Sequence, residues 1–149
     1  MTKLIRIILN NTYGQTTPKN SNEVNMGQKD LNFFNIDAMD QGIKRTLVDG
    51  INTRIFPGEQ AMLSIVRIAP NAVGVVHSHA QEQWGVLLEG SAIRIQDGEE
   101  INVKKGDFWR SPSGIEHGVI GGPKGAVILD VFSPPRPEYM LSGNGFATE

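Results

Sequence analysis

Gly74-Val75-Val76-His77-Ser78-His79-Ala80-Gln81-Glu82-Gln83-Trp84-Gly85-Val86-Leu87-Leu88-Glu89-Gly90 is answered further along by Gly106-Asp107-Phe108-Trp109-Arg110-Ser111-Pro112-Ser113-Gly114-Ile115-Glu116-His117. These two glycine-framed blocks contain all three histidines of the chain, His77, His79 and His117. His77 and His79 are two residues apart, so a strand through them projects both imidazoles from one face. His117 follows Pro112 and Gly114, turn formers that redirect the chain and bring the third imidazole in from another strand. Gln83 can return toward the same point after a bend, and its neighbour Glu82 is the rival for that position. Three neutral imidazoles and an amide oxygen would leave a divalent ion with its charge unneutralised and with positions open to water or substrate. Such an ion is a good Lewis acid.

The surroundings of these blocks read as short strands. Ala61 to Ile68 alternates in the manner of a half-buried strand and Pro70-Asn71 stops it. Ser91 to Gln96 and Glu100 to Lys104 alternate too, and the Asp97-Gly98 between them is a hairpin turn signal. Val86 to Leu88, His117 to Ile120 and Ala126 to Phe132 complete the series, with no segment of helical period to compete. Short strands joined by Gly, Pro and Asp turns predict an all-β antiparallel jelly-roll barrel with room for a site inside.

The chain has 149 residues, enough for one domain with a real core and too few for two ordinary ones. We read residues 34–141 as the barrel, 142–149 as a C-terminal tail and 1–33 as an N-terminal arm. Asn10 to Asn32 is polar and poor in apolar anchors, which predicts a flexible arm, while Leu4 to Leu9 is a candidate edge strand, even one added to a neighbouring subunit. That makes a homodimer plausible. A formal charge of -2 with interspersed signs gives no footprint for nucleic acid or an anionic membrane surface, so a small molecule is the expected partner. There is no cysteine, which excludes disulfides, thiolate ligands and a cysteine nucleophile. Arg6 and Asn10-Asn11 break the leading apolar run before a signal-peptide core could form, and the default location is cytoplasmic.

A second constellation lies in Val127-Ile128-Leu129-Asp130-Val131-Phe132-Ser133-Pro134-Pro135-Arg136. Asp130 interrupts an apolar run, where a carboxylate is costly without a partner. Alternation puts Asp130 and Phe132 on one face, and if that face lines the barrel they share the cavity with the metal. Asp130 could then serve as general acid or base, Phe132 as an apolar wall, and Arg136, held near the rim by the prolines, as a bidentate clamp for a carboxylate.

The two blocks resemble the cupin motifs Gly-x5-His-x-His-x3-Glu-x6-Gly and Gly-x5-Pro-x-Gly-x2-His-x3-Asn. Gly74 stands two residues before His77 instead of five, Gln83 takes the glutamate's place, and Gly121 replaces the final asparagine. The resemblance covers roughly residues 37–136. With the ending Leu129-Asp130-Val131-Phe132-Ser133-Pro134-Pro135-Arg136, the chain looks like the pectin-degradation cupins that linearise unsaturated uronates, the KdgF-like group. That likeness implies that His77, His79, Gln83 and His117 hold a divalent metal (Zn, Ni, Fe or Mn) and that Asp130, Phe132 and Arg136 serve the substrate. It also implies the reaction, conversion of a cyclic 4,5-unsaturated monouronate to its open-chain keto form by a lyase or isomerase type of enzyme. Two other readings stand beside it: a cupin dioxygenase with iron on the three histidines, and a noncatalytic cupin that binds a sugar or other small ligand.

Overall fold

The computed structural model describes residues 32–146. The N-terminal stretch read as an arm, with its candidate edge strand Leu4 to Leu9, lies outside the described residues except for its last two positions. Eight strands follow in the order β1 (Ile43–Val48), β2 (Ile51–Pro57), β3 (Met62–Ile68), β4 (Glu82–Gln96), β5 (Glu99–Lys104), β6 (Phe108–Ser111), β7 (His117–Ser133) and β8 (Gly143–Asn144). They hydrogen-bond in the order β5-β4-β7-β3-β2-β1-β8, and β6 pairs with β4. Every pairing is antiparallel except that of β1 with β8. This is the all-β jelly-roll architecture that the alternating segments predict. Among the described residues no helix is long and apolar enough to cross a membrane.

Two pairs of predicted strands are each one strand. Val86 to Leu88 runs on through Gly90 into Ser91 to Gln96 as β4, and His117 to Ile120 continues to Ala126 to Phe132 as β7. The glycines between them read as breaks, but the chain bulges there instead of ending. The β4–β7 register shifts between Leu87 and Glu89 and again between Gly90 and Ala92, which bends the ribbon without releasing it. At the bend Gly90 has φ +76°, and a Cβ there would lie 2.1 Å from the carbonyl oxygen of Gly125. Only a residue without a side chain permits that approach. Past the bend, the free edge of β4 passes from β6, paired with Gln83 to Val86, to β5, paired with Ser91 to Gln96. The β4–β5 hairpin turns on Asp97 and Gly98, both at positive φ (52° and 78°), as the Asp-Gly pair predicts.

Ile51, Ile55, Met62 and Leu87 are fully buried and pack with Val66, Ile68, Ile128, Phe132 and Tyr139 as the core. Of the segment read as a tail, the described residues 142–146 do not trail away. Gly143–Asn144 pairs with β1, and Arg45 donates to the carbonyls of Gly145 at 2.7 Å and Asn144 at 2.8 Å. Backbone carbonyls held by an arginine leave no apolar alternation in the sequence, which is why this short strand is not legible there.

Gly98→Ala places a Cβ where nothing lies within 4 Å, so it should cost only the left-handed backbone penalty of about 1–2 kcal/mol. Gly90→Ala should cost distinctly more, because it adds the collision with Gly125. Urea unfolding of the two variants measures the difference, and equal costs would refute the close approach.

Candidate metal centre and cavity

His77 and His79 do not lie on a regular strand. The chain from Val73 to His79 is tied to β7 only by the isolated bridges Val73↔Ile120 and His77↔His117. The second is a reciprocal pair, His77 N–H to His117 carbonyl at 2.9 Å and His117 N–H to His77 carbonyl at 2.8 Å. It brings His77, His79 and His117 together, so that one ring nitrogen from each lies within 4.8 Å of the others. A shared ion with bonds of about 2.1 Å keeps its ligand atoms roughly 3–4 Å apart, so this spacing is near what one ion demands.

The donor chemistry fits a cation as well. His77 Nδ1 lies 2.9 Å from the Val75 carbonyl and His117 Nδ1 lies 2.8 Å from the Ile115 carbonyl. A carbonyl only accepts, so in both rings the proton sits on Nδ1 and the Nε2 lone pair is left for a metal. His117 Nε2 is buried with no hydrogen-bond partner among the described residues. Gln83 Oε1 stands 3.1 Å from His79 Nε2. Glu82, one residue away on the strand, faces outward, where it accepts from Trp84 Nε1 at 2.9 Å and meets Arg110 at 3.4 Å. Alternation along β4 thus separates the two rivals and sets Gln83, not Glu82, beside the histidines.

Burial is the leading influence on the titration of these groups. It pushes His77 down to about 4 and His117 down to about 3, with nearby Arg136 and Arg94 respectively adding to the effect. His79 moves the same way for the same first reason. All three imidazoles are therefore neutral at pH 7, with no proton for a metal to displace. The carboxyl of Asp130 moves oppositely, pushed up to about 6 by burial against the opposing influence of Arg94, a hydrogen bond from Gln83 and Arg136.

Asp130 and Phe132 do share the inward face of β7, as alternation predicts, and both line one cavity with His77, Gln83 and His117. The cavity is about 40 Å³, room for a functional group or a few waters, and Phe146 stands at its edge with its ring 4.5 Å from that of His77. Arg136 differs from its expected place. It is not at a rim but wholly buried in the cavity wall, over the Tyr139 ring at 4.2 Å. Its Nε donates to Glu138 Oε1 at 2.6 Å and its Nη2 to the Phe146 carbonyl at 3.0 Å. The prolines turn the chain inward, and Glu138, two residues on, supplies the counter-ion that lets the guanidinium be buried.

Arg94 is the cavity residue that the sequence reading passes over. It is 5% exposed on β4, with Nη2 donating to Ser111 Oγ at 2.6 Å and Nη1 to the Gly118 carbonyl at 3.4 Å. Trp109 also lines the cavity, 5.3 Å from the Arg94 guanidinium carbon to the ring centroid. The local pattern hides it, since alternation sets Ile93 and Ile95, the more apolar pair, on the face opposite Arg94.

The cupin domain family matches residues 64–132. The chain is 31% identical over 96 residues to the pectin degradation protein KdgF of Dickeya dadantii, covering 63% of this chain and 87% of that protein. It is 32% identical over 88 residues to the oxalate decarboxylase OxdC of Bacillus subtilis, covering 55% of this chain but only 23% of that longer protein. Among solved structures, KdgF from a Halomonas species is similar with a TM-score of 0.60 and 26% identity, over 64% of this chain and 88% of that one.

Two outcomes test the site. After equilibration with a divalent cation and removal of excess, His117→Ala should lose the bound ion by elemental analysis. Gln83→Ala should weaken binding roughly tenfold or more, while Glu82→Ala leaves it unchanged; the reverse order for Gln83 and Glu82 would refute the assignment. In metal-free protein, the unfolded chain takes up protons at histidines near pH 6.5 that the folded chain refuses until about 4 and 3 at His77 and His117. Their contribution to stability is therefore full above pH 6.5 and is lost as pH falls toward 4. Asp130 has the opposite sign, since its folded value of about 6 lies above the ordinary 3.8, but it is one group against three. Tm should fall between pH 7 and pH 5, and a rise would count against buried neutral imidazoles.

Proposed function

The chain belongs to the cupin family, among its small KdgF-like members, and from that premise we propose that it is a metal-dependent enzyme converting a 4,5-unsaturated monouronate to its linear keto form. One observation carries the reading: a carboxyl whose affinity for protons is raised, Asp130, lines the same small cavity as the three-histidine group and Gln83. Metal binding without a proton-transfer group would serve ligand capture equally well. An aspartate held at about 6 can both accept and return a proton near neutral pH.

The reaction leaves the molecular formula unchanged. The ring bond between C1 and its oxygen breaks, the C1 hydroxyl loses its proton as it becomes an aldehyde, and a proton added at C4 turns the C5 enol into a ketone. His77, His79, Gln83 and His117 would hold the divalent ion, which when bound supplies charge stabilisation for a substrate oxygen. Asp130 takes the proton from the opening hemiacetal and supplies one to C4. Gln83, hydrogen-bonded to Asp130, keeps that carboxyl aimed across the cavity. Phe132 lies edge-on to His79 with ring centroids 5.5 Å apart, and it keeps water from the reacting carbons. Arg136, held by Glu138 and the Phe146 carbonyl, adds positive potential and fixes the chain's C-terminal segment against the site. A whole sugar needs more than the present 40 Å³, and Phe146, half-buried at the edge, is the side chain placed to give way.

The test is to mix metal-loaded protein with unsaturated galacturonate and follow loss of the conjugated double bond's absorbance against the uncatalysed rate. Asp130→Asn should lower kcat by about 10²-fold or more with metal content intact. Loss of absorbance no faster than in buffer would overturn the reading.

A further inference from the structure

We propose that Arg94 Nε and the Trp109 indole N–H form the subsite that holds the substrate's carboxylate, in the same cavity as Asp130 and the histidines. This deepens the reading above and rests on it for the identity of the substrate. Arg94 lies 5% exposed, yet among the described residues it makes no salt bridge with any carboxylate. An ion stripped of water without a contacting counter-ion is costly, and natural interiors rarely retain one unless something else supplies the opposite charge. The Asp130 carboxyl is the charge that acts on it, but no ion pair joins the two.

The hydrogen bonds of Arg94 narrow the choice of atom. Its two Nη groups are engaged, by Ser111 Oγ and by the Gly118 carbonyl. Ser111 Oγ in turn donates to Gln96 Oε1 at 2.7 Å, which fixes it as the acceptor for the guanidinium. Each Nη keeps a second N–H, but the nitrogen with no partner at all among the described residues is Nε, which is buried. Trp109 Nε1, from the ring beside the guanidinium, is in the same condition. Both residues line the cavity. Opposite in character is Asp130 Oδ1, an acceptor likewise without a partner. Two donors, one of them charged, and an acceptor within one small cavity describe the complement of a hydroxy acid: carboxylate oxygens for Arg94 and Trp109, a hydroxyl proton for Asp130. A room of about 40 Å³ suits that end of such a molecule.

The other buried arginine of this cavity is less suited to the task. Arg136 already has a carboxylate, Glu138, at 2.6 Å. A second anion there would compete with a partner only two residues away in the chain.

The experiment compares binding of D-galacturonate with that of its neutral methyl ester, by titration calorimetry on metal-loaded protein. Wild type should prefer the acid, and Arg94→Met should bind the acid roughly tenfold or more weakly and lose the preference, with metal content unchanged. Trp109→Phe keeps the aromatic wall and removes only the N–H, so it should weaken acid binding by a smaller, several-fold factor; it also decides the matter if Arg94→Met does not fold. A preference for the acid that survives in both variants, or a wild type that does not distinguish acid from ester, would overturn the subsite. Turnover of unsaturated galacturonate is read separately. Arg94-dependent acid binding without turnover would sink the proposed reaction and leave the subsite standing.

Discussion

The antiparallel pairing of β4 with β7 places Gln83, Arg94, His117, Asp130 and Phe132 in the cavity. Its first half sets Gln83 against Phe132 and Gly85 against Asp130; its second half sets Arg94 against Val119. Without the shift in register at Gly90, the two halves could not both turn these side chains toward one interior, because a one-residue slip flips every side chain to the other face. The contact of Gly90 with Gly125 is thus a condition for the site as well as for the sheet. His77 and His79 lie outside that pairing, on a segment secured to β7 by the reciprocal backbone pair with His117. That pair fixes the distance between two of the three imidazoles independently of any ion.

The interior so formed sets a few polar groups among apolar walls, and their burial explains most of its electrostatics. Burial lowers the proton affinity of the histidines and raises that of Asp130, while Arg94, lowered only to about 10, stays charged at neutral pH. Neutral imidazoles are the form a metal binds, and a carboxyl near its midpoint is the form a proton transfer needs. One physical cause therefore prepares two roles. It also carries a stability cost, because buried polar atoms without partners are expensive. His117 Nε2, Asp130 Oδ1 and Arg94 Nε are such atoms, and all three belong to residues that line one cavity.

Strand alternation made much of this legible in the sequence. It put Asp130 and Phe132 on a common inward face, and the structure agrees. Glu82 and Gln83 were left as rivals ahead of the predicted strand, and their opposite directions follow only from their place on β4. What decides which of them faces in is the bend at Gly90 and the partners outside, Trp84 and Arg110, which engage Glu82. Bulges were the main obstacle, since glycines that relax a long strand look the same as glycines that end a short one. The place of Arg136 and the return of residues 143–146 were hidden for another reason. Both depend on guanidinium contacts to carbonyls and to Glu138, which leave no periodic trace.

Arg94 was hidden in plain view, and the reason bears on how such sites are read. In Ala92-Ile93-Arg94-Ile95 the ordinary inference turns the isoleucines inward and leaves the arginine to water. The fold does the reverse, with Arg94 buried and Ile93 and Ile95 half-buried on the other side. A local pattern that conflicts with the global register marks a position where something besides packing is being satisfied. Burial of a cation alone does not identify that role, since Arg136 is more deeply buried. The difference lies in the counter-ion. Arg136 carries its own in Glu138 and works as a tie between Phe132, Tyr139 and Phe146. Arg94 is held by a hydroxyl and a backbone carbonyl, neither of which neutralises it. Of two guanidiniums in one wall, the one without an ionic partner of its own is the one whose charge is available to a ligand.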